Sequence, residues 1–183
     1  MLKAFLSRQI DKVERLWGYD VSYMRHVLRA STGSFLRFGV VPGLVDRKAA
    51  PGAALAAAGI VGTLAEDCGP CTQIGVDMAA AGGVDPEVLR AILAGDAAAM
   101  GDDAALAWRF ARASLARDMT TCDPLRDEIV RRWGDRGLVA LGMALTTARM
   151  YPTLKYALGY GKACSRVTVA GVATPVAHLP LAA

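Results

Sequence analysis

The chain has 183 residues, 54% of them hydrophobic, with a mean hydropathy of +0.30 and a formal charge of +4. That length suits a single domain with a substantial core. Four cysteines are too few for a disulfide-stapled secreted module. The longest uncharged stretch, Ala49 to Ala65, is 17 residues long and interrupted by Pro51 and glycines. It falls short of the roughly 20 apolar residues of a membrane span.

The basic excess is confined to residues 1–50, where nine Lys/Arg face four Asp/Glu. It is spread over several helices and carries no nucleic-acid-binding motif, so it reads as a solvated basic face and no nucleic-acid partner is expected. Met1-Leu2-Lys3-Ala4-Phe5 is followed closely by charge and does not resemble a signal-peptide core, which points to a cytoplasmic protein.

In chain order, nearly every segment reads as helix. Leu2, Phe5, Leu6, Val13, Leu16 and Trp17 form an apolar stripe at helical spacing, and Gly18 ends it. Asp20 caps a second helix carrying Val21, Met24, Val27 and Leu28. Ser31-Thr32-Gly33-Ser34 breaks the pattern, Phe35 begins a short element, and Val41-Pro42-Gly43 and Pro51-Gly52 are turns. A helix spans Ala53 to Glu66, followed by another from about Cys68 to Ala81, stopped by Gly82-Gly83. Asp85-Pro86 and Asp123-Pro124 each place a capping Asp before a first-turn Pro, predicting helices over 85–94 and 123–133. Asp102 or Asp103 opens a helix running to about Asp118. Gly134 stops the helix at Trp133, Leu138 to Met150 is strongly apolar, and Pro152 predicts a break or kink before Thr153 to Gly159. The tail from Val167 is extended or covers a neighbour, and no period-2 run is long enough for a sheet.

The chemistry concentrates in Cys68-Gly69-Pro70-Cys71. Two intervening residues allow the sulfurs to close a small disulfide ring. The first-turn amides of the following helix stabilise a thiolate. Pro70 stands where a missing N–H costs nothing. Structural zinc needs about four ligands, and the remaining candidates, Cys122, Cys164, His26 and His178, are unpaired. Two inert buried cysteines are the plainer alternative.

Glu66-Asp67-Cys68-x-x-Cys71, preceded by an apolar helix and followed by Ala79-Ala80-Ala81-Gly82-Gly83-Val84-Asp85-Pro86-Glu87, resembles the core of the alkylhydroperoxidase D-like (carboxymuconolactone decarboxylase) family. The resemblance covers roughly residues 50–160. It implies an all-α, AhpD-like, oligomeric helical bundle, with residues 1–48 as an added helical layer and 167–183 as a tail. It also implies a Glu twelve residues before the first Cys and a His four after the second, as a proton relay. Those positions hold Ala56 and Gly75.

Cys68, Cys71, Thr72 and Gly75 share a helical face, with Gly75 leaving open space for a group from elsewhere, such as His26 or a tyrosine. Asp77 points away from that face. Glu66 can accept a thiol proton, and Asp67 caps the helix. Arg149 to Tyr156 mixes cations with tyrosines, read as an anionic-substrate pocket or as snorkelling cations beside core tyrosines.

The expected function is thiol–disulfide chemistry without metal or organic cofactor. Cys68 is the exposed attacking thiolate and Cys71 the resolving thiol, although the family relay favours the reverse order. The substrate is a small peroxide or a partner protein's disulfide. The alternatives are a non-catalytic helical module and a carboxymuconolactone decarboxylase-like lyase. The apolar excess predicts a homo-oligomer built on part of Ala53–Ala65 or Leu138–Met150.

Overall fold

A computed structural model describes residues 1–162 and 167–177. Cys164 and His178 lie outside the described residues, as does the tail beyond Ala177. The chain is built from helices, as the periodicity predicts. Its N-terminal part contributes α1 (Leu2–Trp17), α2 (Ser22–Ala30), α3 (Thr32–Phe38) and a 3-10 turn, Val41–Leu44. Then follow α4 (Gly52–Ala65), α5 (Gly69–Ala81), α6 (Pro86–Ala94), α7 (Asp102–Leu115) and α8 (Met119–Ala157). Among the described residues, no helix is long and apolar enough to cross a membrane.

Local chemistry sets most boundaries. Gly18 adopts φ +57° and ends α1 in the left-handed conformation that favours glycine. The cap expected of Asp20 falls to Val21, which has no side-chain cap bond, while Asp20 Oδ1 accepts from the Ser22 N–H at 3.0 Å in the turn before α2. Asp85 accepts from the Glu87 N–H at 2.7 Å, with Pro86 in the first turn of α6.

Two further boundaries differ from expectation. The helix predicted to open at Asp123-Pro124 begins a turn earlier. Asp118 is its cap, accepting from the Thr121 N–H at 3.1 Å, and Asp123 pairs with Arg126 instead. The extra turn places Cys122 in the core, which repays the bond lost at Pro124. As expected, Gly134 stops the first arm of α8 at Trp133, its φ of 67° and ψ of 179° being non-helical. Pro152 makes no such break: its ring is buried and the second arm continues to Ala157, so packing overrides the missing hydrogen bond.

The expectation of no sheet is corrected by an antiparallel ribbon, β1 (Val167–Val169) with β2 (Val172–Thr174). The Ala170-Gly171 turn, both residues at positive φ, closes it. Gln73 on α5 acts as a further strand partner. Its side-chain oxygen accepts from the Thr168 N–H at 2.7 Å and its amide donates to the Thr168 carbonyl at 2.9 Å.

Two apolar clusters organise the molecule. The larger is centred on α4, which is buried on nearly every side against α7 and the second arm of α8. The apolar stretch of α4 is therefore buried within the subunit. A Cβ on Gly62 would meet the Leu145 carbonyl oxygen at 2.9 Å and Ala148 Cβ at 3.3 Å, so this glycine allows the two helices their close approach. The smaller cluster belongs to α1 and α2: Leu6, Ile10, Tyr19, Val21, Tyr23 and Leu28. Ile74 of α5 and Tyr151 and Leu154 of α8 pack against it. The N-terminal layer thus covers one end of the bundle, where α5 begins and α8 ends.

Candidate functional site

The dithiol lies at that seam. α4 ends at Ala65, and Asp67 turns the chain at φ +46°, outside the ordinary range for a residue with a side chain. Cys68 follows in extended conformation as the N-cap residue of α5. The capping role expected of Asp67 therefore falls one residue later, to a residue whose sulfur is a weak acceptor. The Gly69 N–H donates to the Lys162 carbonyl at 3.3 Å, and the Thr72 N–H to the Cys68 carbonyl at 2.9 Å. Thr72 Oγ1, also buried, donates to the same carbonyl at 3.0 Å and sits 3.1 Å from Thr63 Oγ1. These bonds hold the first turn of α5 against the end of α4.

Cys68 Sγ and Cys71 Sγ are 2.7 Å apart as free thiols. A disulfide of about 2.05 Å needs under about 1 Å of closure. The two sulfurs are electrostatically unequal. Cys68 is brought down to about 7, first because Cys71 donates its S–H to it, with help from the Cys71 backbone N–H and the Lys155 ammonium. Burial and the Asp67 carboxylate oppose this shift. The same hydrogen bond, followed by burial and the nearby Cys68 charge, pushes the Cys71 thiol up. One sulfur is thus poised as thiolate while the other keeps its proton.

The expectation that Cys68 is exposed is overturned. Cys68 is 0% and Cys71 3% accessible. Tyr19, from the α1–α2 connection of the N-terminal layer, lies against Cys71 with its hydroxyl 3.6 Å from Cys71 Sγ. Behind Tyr19 stands Lys155, 0% exposed, its ammonium donating to Tyr19 Oη at 3.4 Å. That ammonium lies 4.7 Å from the centre of the Tyr19 ring and 5.4 Å from that of Tyr23. Tyr23 Oη is buried with no hydrogen-bond partner among the described residues. Tyr151 completes the wall, and burial raises its hydroxyl to about 12.

The other expected participants lie elsewhere. Glu66 is an ion-pair partner of Arg149, with Arg149 Nε 2.6 Å from Glu66 Oε1. The Glu66 carboxylate is thereby committed away from the thiols. His26 is paired through Nδ1 with Tyr160 Oη at 3.3 Å, rings edge to face. It holds α2 to the segment just after α8, and its hydrogen bond goes to Tyr160 rather than to a thiol. Asp77 accepts from Gln73 Nε2 at 2.9 Å. Space around Gly75 is open, since a Cβ there would meet nothing within 4 Å. Cys122 sits buried with Ser114 and Arg126 as its side-chain partners. Among the described residues, no group of three or more His, Cys, Asp or Glu is arranged to hold a metal.

The tyrosine alternative is therefore the one brought to the thiols, and the neighbouring residues sequence reasoning missed are Tyr19 and Lys155. Lys155 is not the snorkelling cation read from the Arg149–Tyr156 segment. Its sequence signal is faint: one helical turn past Tyr151, it shares a face with a core tyrosine. Tyr19 sits in an interhelical turn, where nothing in the sequence marks it.

No protein-family model matches the chain, and neither a curated protein nor a solved structure was found similar to it.

Proposed function

We propose that this chain is a thiol–disulfide redox protein, an AhpD-like helical bundle with an added N-terminal layer, that reduces a small peroxide through Cys68 and Cys71. The observation that carries the reading is the pair itself: two free thiols 2.7 Å apart at a helix N-terminus, one near pKa 7 and the other raised. Cys68 is the nucleophile. Its thiolate attacks the peroxide O–O bond, forming a Cys68 sulfenic acid and releasing an alcohol or water. Cys71 then attacks the Cys68 sulfur, a disulfide forms, and the sulfenic oxygen leaves as water. An external thiol of a reducing compartment, such as the cytoplasm, returns the pair to dithiol.

Burial of both sulfurs supports the smaller substrate, since hydrogen peroxide is little larger than water and a partner protein's disulfide is far bulkier. The same burial supports a second reading, a helical module whose cysteines are inert.

Oligomerisation is part of the proposal. Val139, Met143 and Met150 form an exposed apolar row on the second arm of α8, and such a row suits a partner subunit. A monodisperse monomer at micromolar concentration in light scattering removes that part.

The deciding experiment exposes the reduced chain to hydrogen peroxide and maps thiols by mass spectrometry. A Cys68–Cys71 disulfide reversed by dithiothreitol, with Cys122 remaining a thiol, is expected. Free thiols at both 68 and 71 after excess oxidant overturn the redox reading in favour of the inert module.

A further inference from the structure

A buried ammonium without a carboxylate partner is costly. Lys155 is such a group: no carboxylate among the described residues pairs with it, and the hydrogen bond it makes among them goes to Tyr19 Oη. The described groups that act on this site come from every element around it. They are Cys68 and Cys71 from α5, Asp67 from the turn before it, Tyr19 from the α1–α2 connection, Tyr23 from α2 and Tyr151 from α8. In the reduced protein, the one anion beside the ammonium that the reaction consumes is the Cys68 thiolate. Tyr19 Oη bridges Lys155 Nζ at 3.4 Å and Cys71 Sγ at 3.6 Å, in one unbroken row.

We infer that Lys155 and Tyr19 form the proton relay of the dithiol, with Tyr19 passing the Cys71 proton to Lys155 as the disulfide closes. This rests on the redox reading above. The cycle begins with the Cys68 thiolate, the Cys71 thiol and the Lys155 ammonium. Attack on a peroxide makes the Cys68 sulfenic acid and an alkoxide or hydroxide, which takes a proton from Lys155.

The neutral Lys155 amine then accepts the Tyr19 hydroxyl proton while Tyr19 accepts the Cys71 thiol proton. Cys71, now thiolate, attacks the Cys68 sulfur. The S–O bond breaks, hydroxide leaves, and the restored Lys155 ammonium protonates it to water. Two sulfurs are oxidised and one peroxide bond is reduced. The cationic charge and the thiolate charge disappear together, so the buried site holds no unpaired ion at the end. Tyr19 touches a reacting sulfur and is a catalytic residue in this scheme. Lys155 acts on Cys71 through it.

The test uses the full reduced chain, hydrogen peroxide as oxidant and three proteins: wild type, Tyr19→Phe and Lys155→Met. Tyr19→Phe keeps the ring and its packing, so a purely structural Tyr19 leaves the kinetics unchanged. Sulfenic acid at Cys68 is trapped with dimedone, and closure is followed by acid quench and mass spectrometry from pH 6 to 9. General acid–base help is typically worth about 10²–10⁴-fold. Tyr19→Phe is therefore expected to slow closure by about 10²-fold at pH 7 and to accumulate the Cys68 sulfenic acid. The deficit should shrink as rising pH deprotonates Cys71 directly. Lys155→Met should show the same defect and also shift the pH dependence of Cys68 attack upward.

Wild-type closure rate and pH profile in Tyr19→Phe overturn the relay while leaving the redox reading intact. If Lys155→Met fails to fold, Tyr19→Phe alone decides. A wild-type chain that forms no disulfide overturns both.

Discussion

Lys155 Nζ lies 3.4 Å from Tyr19 Oη across 136 positions of sequence, and neither side chain meets solvent to any useful extent. The two come from opposite ends of the fold, the last turns of α8 and the α1–α2 connection, and they meet over the start of α5. This contact ties the N-terminal layer to the dithiol. Any disturbance of the layer is thereby a disturbance of the sulfurs, and the following expectations turn on that coupling.

The thiols should make the stability of the reduced protein depend on pH in two directions. Cys68 at about 7 lies below the ordinary thiol value of about 8.5, so its contribution is absent at pH 6 and grows between about 7 and 8.5. Cys71 is raised, so its contribution is present below the unfolded thiol pKa and is lost as pH climbs above it. Urea unfolding of the reduced chain should show stability rising by on the order of 1–2 kcal/mol from pH 6 to 8.5 and falling beyond. The difference from a Cys68→Ala, Cys71→Ala double variant isolates the effect. Parallel curves for the two proteins would remove it.

Glu66→Gln should leave the thiols alone. The carboxylate is committed to Arg149, with Thr153 Oγ1 also 3.5 Å from Glu66 Oε2. We expect a loss of about 1 kcal/mol in urea unfolding, since the pair is partly screened. The rate and pH profile of Cys68 alkylation by iodoacetamide should match wild type. A shifted alkylation profile would return Glu66 to the site.

Gly62→Ala should weaken the whole bundle. The added methyl has no room against the Leu145 carbonyl and the Ala148 methyl, so α4 and the second arm of α8 must part. Overpacking of this kind costs about 1–3 kcal/mol. Thermal unfolding should move down by several degrees. Because that arm carries Lys155, thiol alkylation should change as well. Gly75→Ala, with open space at its Cβ, is the control and should be silent on packing grounds.

Opening the N-terminal layer should expose the dithiol. Asp20 sits one residue past Tyr19 and forms an ion pair with Lys162 at 3.1 Å. The Lys162 carbonyl in turn receives the Gly69 N–H. The Asp20 carboxyl is held down at about 2, first by the Ser22 hydroxyl and N–H and then by Lys162. Lys162→Met removes only the ionic tie. Maleimide labelling of Cys68 in the reduced chain should accelerate severalfold with the circular dichroism spectrum unchanged. Labelling at the wild-type rate would show that the layer is held by its apolar cluster alone.

Sequence by itself determined the helical architecture and the placement of the dithiol. Its signals act within a turn or two: the stripe from Leu2 to Trp17, the stops at Gly18 and Gly134, the cap at Asp85, and a Cys-x-x-Cys pair that two residues of spacing oblige to meet. Where two local signals competed, the outcome came from packing. Asp123-Pro124 lost the helix start to Asp118 because the earlier turn buries Cys122, and Pro152 failed to break α8 because its ring is buried. The burial of Cys68, the commitment of Glu66 to Arg149 and the row Lys155–Tyr19–Cys71 belong to the tertiary structure alone. Each depends on which faces of distant helices meet. That is fixed by the turn at Gly134 and the narrow seam at Gly62, and a lysine inside an apolar pocket carries no local mark that distinguishes it from one in water.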